Sequence, residues 1–162
     1  MDETLYPPNT RLHPRIRLEG FDYCNAETLY FVTICSHDRQ SLFSDPPTCE
    51  MIVSQVFGLR ERYKASIYAY CLMPDHLHML LHLLGGEYSL GQIVGGFKSL
   101  SSSASWLLGH RGSLWQKRFY DHVVRPDESA GRIVDYILDN PVRKSLARSS
   151  EDWPYCGMPD SM

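Results

Sequence analysis

The chain has no apolar run approaching the roughly 20 residues that a membrane span needs. Its longest apolar stretches, Ser66 to Pro74 and Leu77 to Leu84, are strand-sized. The polar N-terminus lacks a signal-peptide core, so a cytoplasmic protein is expected. Surplus positive charge is missing too: 16 Lys and Arg stand against 19 Asp and Glu, a net charge of −3, which excludes an indiscriminately cationic nucleic-acid coat protein. The five cysteines are scattered and odd in number, and no pair forms CxxC, so neither a disulfide framework nor a zinc ribbon is indicated and reduced, mostly buried thiols are expected. GxSxG, HExxH and GxGxxG are absent. The stretch from Gly91 through Gly96 to Lys98 and Ser99 imitates a P-loop, but Phe97 separates the second glycine from the lysine and the segment lies inside a helical pattern.

What is present suits one folded domain. The 162 residues are 43% hydrophobic, 12% aromatic and 22% charged, close to ordinary globular usage. The charge is uneven: residues 1–88 sum to −4, residues 89–148 to +4 and residues 149–162 to −3. A polyanion responds to local potential, so a phosphate-bearing partner is compatible with the second half. A solvated helix face is the competing explanation.

Periodicity divides the chain. Residues 1–20, with Pro7, Pro8 and Pro14, read as an extended arm; residues 149–162 form a tail. Leu29 to Ser36 is β-branched and aromatic, a strand. Cys49 to Lys64 places Ile52, Val53, Val56, Leu59 and Tyr63 at helical spacing. Ser66 to Met73 and His76 to Leu84 read as a hairpin around Pro74-Asp75, and Ser89 to Leu108 as a second helix. Trp115 to Arg125 contains a fourth strand, and a third helix runs from Asp127 to Asn140, before Pro141. The order β-α-β-β-α-β-α predicts an α+β, ferredoxin-like split βαβ fold: an antiparallel sheet covered by helices on one face, with an added C-terminal helix.

His76-Leu77-His78 is the sharpest local feature, because side chains alternate along a strand. Both imidazoles project from one face and can share a cation, while Leu77 points to the opposite, helix-covered face. Alone, such a pair is more often an ordinary surface pair than a metal site. His82 shares the face but lies roughly 13 Å beyond His78, too far to share an ion. On the third helix, Tyr136 and Asn140 flank the apolar stripe one turn apart and face the same way, a spacing equally compatible with a polar flank and a helix-end cap.

The strings YCLMPDHLHMLLHL, LWQKRFYDHVVR and IVDYILDNPVRKSL resemble the REP-associated tyrosine transposases, relatives of the single-tyrosine HUH transposases of bacterial insertion sequences. The likeness runs from about Arg15 to the EDWPY segment at Glu151 to Tyr155. His76 and His78 match the HUH motif, Tyr136 the nucleophile and Asn140 the third metal-ligand position. The resemblance implies a Mg²⁺- or Mn²⁺-dependent endonuclease and strand transferase acting on single-stranded, hairpin-containing DNA. It implies a 5′-phosphotyrosine intermediate, with no nucleotide triphosphate and either a monomer or a homodimer. Arg15, Arg17, Lys98, Lys117, Arg118 and Arg125 are candidate phosphate contacts. The alternatives are a non-catalytic or domesticated ferredoxin-like regulator and a two-histidine phosphodiesterase. The latter needs two H-x-[ST] motifs, which the chain does not have. A plasmid relaxase generally carries its tyrosine upstream of the histidine pair, whereas Tyr136 lies downstream. Trp106, Trp115 and Trp153 read as core or tail-packing residues.

Overall fold

Strict alternation in residues 76–83 fixes which way the central sheet faces. Leu77, Met79, Leu81 and Leu83 are buried in one apolar cluster, while Leu80 lies in a second cluster across the sheet. The computed structural model describes residues 20–25 and 27–162. The arm cations Arg15 and Arg17 therefore lie outside the described residues.

The elements are β1 (Leu29–Cys35), α1 (Pro46–Tyr63), β2 (Ala65–Met73), β3 (His76–Leu83), α2 (Leu90–Leu107), β4 (Tyr120–Val123), α3 (Ala130–Leu138), α4 (Asn140–Arg143) and β5 (Cys156–Gly157). All strand pairs are antiparallel and the sheet order is β4-β1-β3-β2-β5. The first four strands thus follow the split βαβ order, with the histidine-bearing β3 at the centre and the tail strand β5 added outside β2. On one face α1 contributes Cys49, Ile52, Val56 and Leu59, and α2 contributes Leu90, Ile93, Val94 and Phe97. On the other, Ile133, Val134 and Ile137 of α3 pack against Phe31, Ala69, Cys71, Met73 and Leu80. The added helix therefore covers the face that α1 and α2 leave open.

Local chemistry sets the boundaries. Asp45 caps α1 by accepting the Thr48 N–H at 2.9 Å, ahead of two prolines in the first turn. Ser89 and Gln92 form a reciprocal capping box on α2. A bulge in β2 lets Ile67 pair with Leu81 and Ala69 with Leu80, so Tyr68 and Ala69 both turn toward the α3 face. Gly96, the second glycine of the P-loop imitation, has its physical reason in packing: a Cβ there would collide with the Tyr63 hydroxyl of α1.

Several expected boundaries move. The fourth strand lies within Trp115 to Arg125 as expected, at Tyr120–Val123, and Trp115 makes only an isolated bridge to Ser36. The carbonyls of Gln116, Lys117 and Arg118 turn instead to the Lys98 ammonium, at 2.8, 3.4 and 3.1 Å. The third helix begins after Ser129, whose hydroxyl accepts the Arg132 N–H, rather than at Asp127. It ends at Leu138; Asn140 opens the short α4, where Pro141 occupies a first-turn position that needs no N–H donor. The cysteines are not all reduced thiols: Cys71 and Cys156 are joined, leaving Cys24, Cys35 and Cys49 free. Trp115 is buried and donates to Ser101 Oγ at 2.8 Å, and Trp153 donates to the Leu72 carbonyl at 2.9 Å. Trp106, expected to pack, is 53% exposed.

Candidate active site

The register brings the site together before any long-range contact is considered. Thr33 of β1 and Cys71 of β2 both stand opposite His78, and Cys35 stands opposite His76. Directly paired residues present their side chains on the same face. Thr33, His76 and His78 therefore share the α3 side, while Leu77 is fully buried on the other.

The two imidazoles converge through Nε2, 3.0 Å apart. Their outer nitrogens are held from behind: His76 Nδ1 meets Asp75 Oδ1 at 2.6 Å and His78 Nδ1 meets Thr33 Oγ1 at 2.8 Å. The hydrogen bond from His76 is the main reason the Asp75 carboxyl sits below its usual range. Partners on Nδ1 orient both rings so that Nε2 points into the site. His78 is buried and stacks on Phe31, with ring centroids 5.4 Å apart. Burial, then the charges of His76 and Arg39, hold its imidazole well below the ordinary value of 6.5.

Tyr136 arrives from α3. Its ring centroid is 5.8 Å from that of His78 and 5.9 Å from that of Phe31, where it meets the edge. Burial raises the phenol above its ordinary 10.0, and two neighbours oppose that rise. They are Arg143, whose guanidinium lies 4.9 Å from the ring centroid, and the Asn140 side chain. Asn140 is buried at the start of α4, and its Nδ2 donates to the Tyr136 carbonyl at 2.8 Å across the helix junction. Tyr136 and Asn140 thus stand on consecutive helices rather than on one, joined by that bond.

The remaining candidates are spread more widely. His82 lies further along β3, its Nδ1 3.3 Å from the Tyr68 hydroxyl. Lys117, Arg118 and Arg125 are exposed. Lys98 is not a free surface cation: it is half-buried, its ammonium serves three backbone carbonyls, and burial lowers it to about 8. Its place is structural, fixing the segment from which Lys117 and Arg118 project.

Sequence reasoning missed Thr33, Asp75, Phe31 and Arg143. Asp75 and Arg143 lie inside the quoted strings PDHLH and NPVRK, but only the fold shows that they touch His76 and Tyr136. It also missed the pairing of His122 Nε2 with Glu128 Oε2 at 2.6 Å, which ties β4 to the segment ahead of α3. Among the described residues no cluster of three or more His, Cys, Asp or Glu is arranged to hold a metal ion. The side chains that could hold an ion here are the two imidazoles and the Asn140 amide.

His78 predicts an acid limit to stability. Its imidazole is harder to protonate in the fold than in the unfolded chain, so the unfolded state binds the extra proton first. The contribution is complete above about pH 6.5 and is lost as pH falls toward the depressed folded value, at about 1.4 kcal/mol per unit of displacement. Asp75 adds a loss in the same direction, but only below about pH 4. Thermal midpoints between pH 7.5 and 5 should therefore fall in the wild type and fall less in His78→Gln. Parallel curves would show that His78 is not the group responsible.

The family model described as "Transposase IS200 like" matches residues 25–140 of this chain. A Haemophilus influenzae protein named "Putative REP-associated tyrosine transposase" is 28% identical over 137 residues, covering 78% of this chain and 77% of that protein. The Escherichia coli K12 "REP-associated tyrosine transposase" is 24% identical over 133 residues, covering 82% and 77%. A solved structure of a REP-associated tyrosine transposase bound to a REP hairpin superposes with a TM-score of 0.72 at 21% identity, over 89% of this chain and 82% of that one.

Proposed function

Because the chain belongs to the IS200-like transposase family, we infer that it cleaves and rejoins single-stranded DNA beside a hairpin, using Tyr136 as nucleophile and a divalent cation held by His76, His78 and Asn140. The observation that carries this reading is the convergence of the two Nε2 atoms, 3.0 Å apart and one ring away from Tyr136.

The donor set fits an ion of Mg²⁺ or Mn²⁺ type. Two imidazoles and a carboxamide oxygen, with no thiolate, differ from the usual closed structural zinc set. When bound, the cation polarises the scissile phosphate and neutralises charge at the leaving 3′-oxygen.

The chain's own residues do the rest. Asp75 and Thr33 keep the imidazoles turned inward, and Phe31 walls the space between His78 and Tyr136. Arg143 and Asn140 favour the phenolate of Tyr136 against the burial that opposes it. The Tyr136 Oη–P bond forms as the P–O3′ bond breaks, leaving a 5′-phosphotyrosine and a free 3′-hydroxyl. One phosphate ester replaces another, so a later 3′-hydroxyl can reverse the exchange without a nucleotide triphosphate. Lys117, Arg118 and Arg125 are exposed, which supports their assignment as phosphate contacts that orient a strand without reading its bases.

The test is incubation with end-labelled DNA and Mn²⁺. A single strand carrying a hairpin and an unpaired flank should yield a covalent protein–DNA band, and the same sequence as a blunt duplex should not. Binding should weaken as salt rises, with a shallower salt slope in Arg125→Ala. Hairpin binding without any covalent band would favour the non-catalytic regulator, and efficient nicking of paired duplex would contradict the single-strand reading.

A further inference from the structure

Between β1 and α1 the segment Ser36 to Phe43 has no role in the chemistry above, yet both its ends are fastened to the turn that delivers His76. The Ser36 N–H donates to the Asp75 carbonyl at 2.9 Å, and the Phe43 N–H donates to the Pro74 carbonyl at 3.0 Å. Between these points the chain doubles back. The Arg39 N–H reaches the Ser36 carbonyl at 3.1 Å, and Ser36 Oγ donates to the Gln40 carbonyl at 2.7 Å.

Asp38 and Arg39 are successive residues in the left-handed region, with φ of 49° and 53°. Aspartate adopts this conformation more readily than arginine does. They are the two central residues of a turn that the Gln40 N–H closes on the His37 carbonyl at 3.1 Å. The turn stands beside the Asp75 carbonyl that Ser36 meets, and Arg39 is exposed there. The positive charge of Arg39 is felt by groups on three neighbouring pieces of chain: Cys35 on β1, Asp75 in the hairpin turn and His78 on β3. Arg143, the cation over Tyr136, comes from α4, an element separate from the segment that carries Arg39.

We propose that Arg39 is a catalytic residue of strand cleavage, its guanidinium donating hydrogen bonds to a non-bridging oxygen of the phosphate that Tyr136 attacks. The proposal rests on the cleavage reading above. As the Tyr136 Oη–P bond forms and the P–O3′ bond breaks, negative charge grows on the non-bridging oxygens. A planar guanidinium with several fixed donors meets that charge better than the ground state's. Arg39 exchanges no proton and stays cationic throughout.

Arg39→Gly is the informative variant, because glycine adopts φ near +50° at no steric cost and so removes the guanidinium while easing the backbone. The full-length protein, labelled hairpin DNA with an unpaired flank and Mn²⁺ are used for three measurements: the single-turnover rate of covalent adduct formation, the Kd for the same DNA, and the thermal midpoint. The expected result is a rate about 100-fold or more below wild type, a Kd within about threefold and a midpoint equal to or above wild type. Arg39→Lys, which keeps the charge but loses the fork, should recover part of the rate. An Arg39→Gly rate within about threefold of wild type, or a loss carried wholly by Kd, overturns the proposal while leaving the cleavage reading intact. No adduct from the wild type removes that reading and this proposal with it.

Discussion

Replacing Tyr136 by Phe should lower covalent adduct formation by about 10⁴-fold or more, to below detection, while hairpin binding stays within a few-fold of wild type. The substitution removes one hydroxyl from a half-buried ring whose packing against Phe31 and His78 involves the ring itself. Its effect on stability should therefore stay within about 1 kcal/mol. Loss of a nucleophile has no partial substitute, which is why the kinetic effect is large where the structural one is small. Tyr120 is the demanding control. It stands opposite Thr33 in the β1–β4 ladder, packs in the same cluster, and is raised by burial and by the neighbouring Asp121, Glu128 and Tyr136. Tyr120→Phe should keep the adduct. Gel analysis of both variants with labelled DNA decides between them, and an adduct that survives in Tyr136→Phe but not in Tyr120→Phe would transfer the nucleophile to β4.

His76→Ala and His78→Ala should each reduce adduct formation by at least about 100-fold and weaken Mn²⁺ binding, while His82→Ala retains both. All three histidines are on one strand and one face, so general damage to β3 would affect them alike. Only His76 and His78 converge through Nε2, and His82 instead meets Tyr68. Calorimetric titration with Mn²⁺ beside the adduct assay separates loss of the ion from loss of the fold. Equal losses at all three positions would show that strand integrity, not ligation, is being measured.

The sheet order was legible because each clue was local. The hairpin around Pro74-Asp75, the stripes on α1 and α2 and the alternation in β3 require only neighbours in sequence. The facing of His76 and His78 followed from the strand period alone. Less legible were features that depend on distant partners. Lys98 read as a free cation because the sequence does not show that the carbonyls of residues 116–118 would have no strand to pair with. Asp127 and Glu128 looked like the start of α3, but Glu128 pairs with His122 and Ser129 provides the cap. Pro141 marked the end of a helix correctly, yet it sits inside the first turn of the next one, so Asn140 belongs to α4. Thr33 and Asp75 orient the histidines from a neighbouring strand and a turn, positions that carry no motif of their own.

The most direct measurement is mass spectrometry of the covalent product. Protein is incubated with hairpin DNA and Mn²⁺, the DNA is trimmed with nuclease, and the protein is cut after Lys and Arg. The peptide spanning residues 133–143, which holds Tyr136 as its single tyrosine, should carry the added mass of a 5′-linked nucleotide, and the released DNA should end in a 3′-hydroxyl. Added mass on a peptide holding Tyr120 or Tyr155, or cleaved DNA bearing a free 5′-phosphate with no modified peptide, would contradict nucleophilic attack by Tyr136.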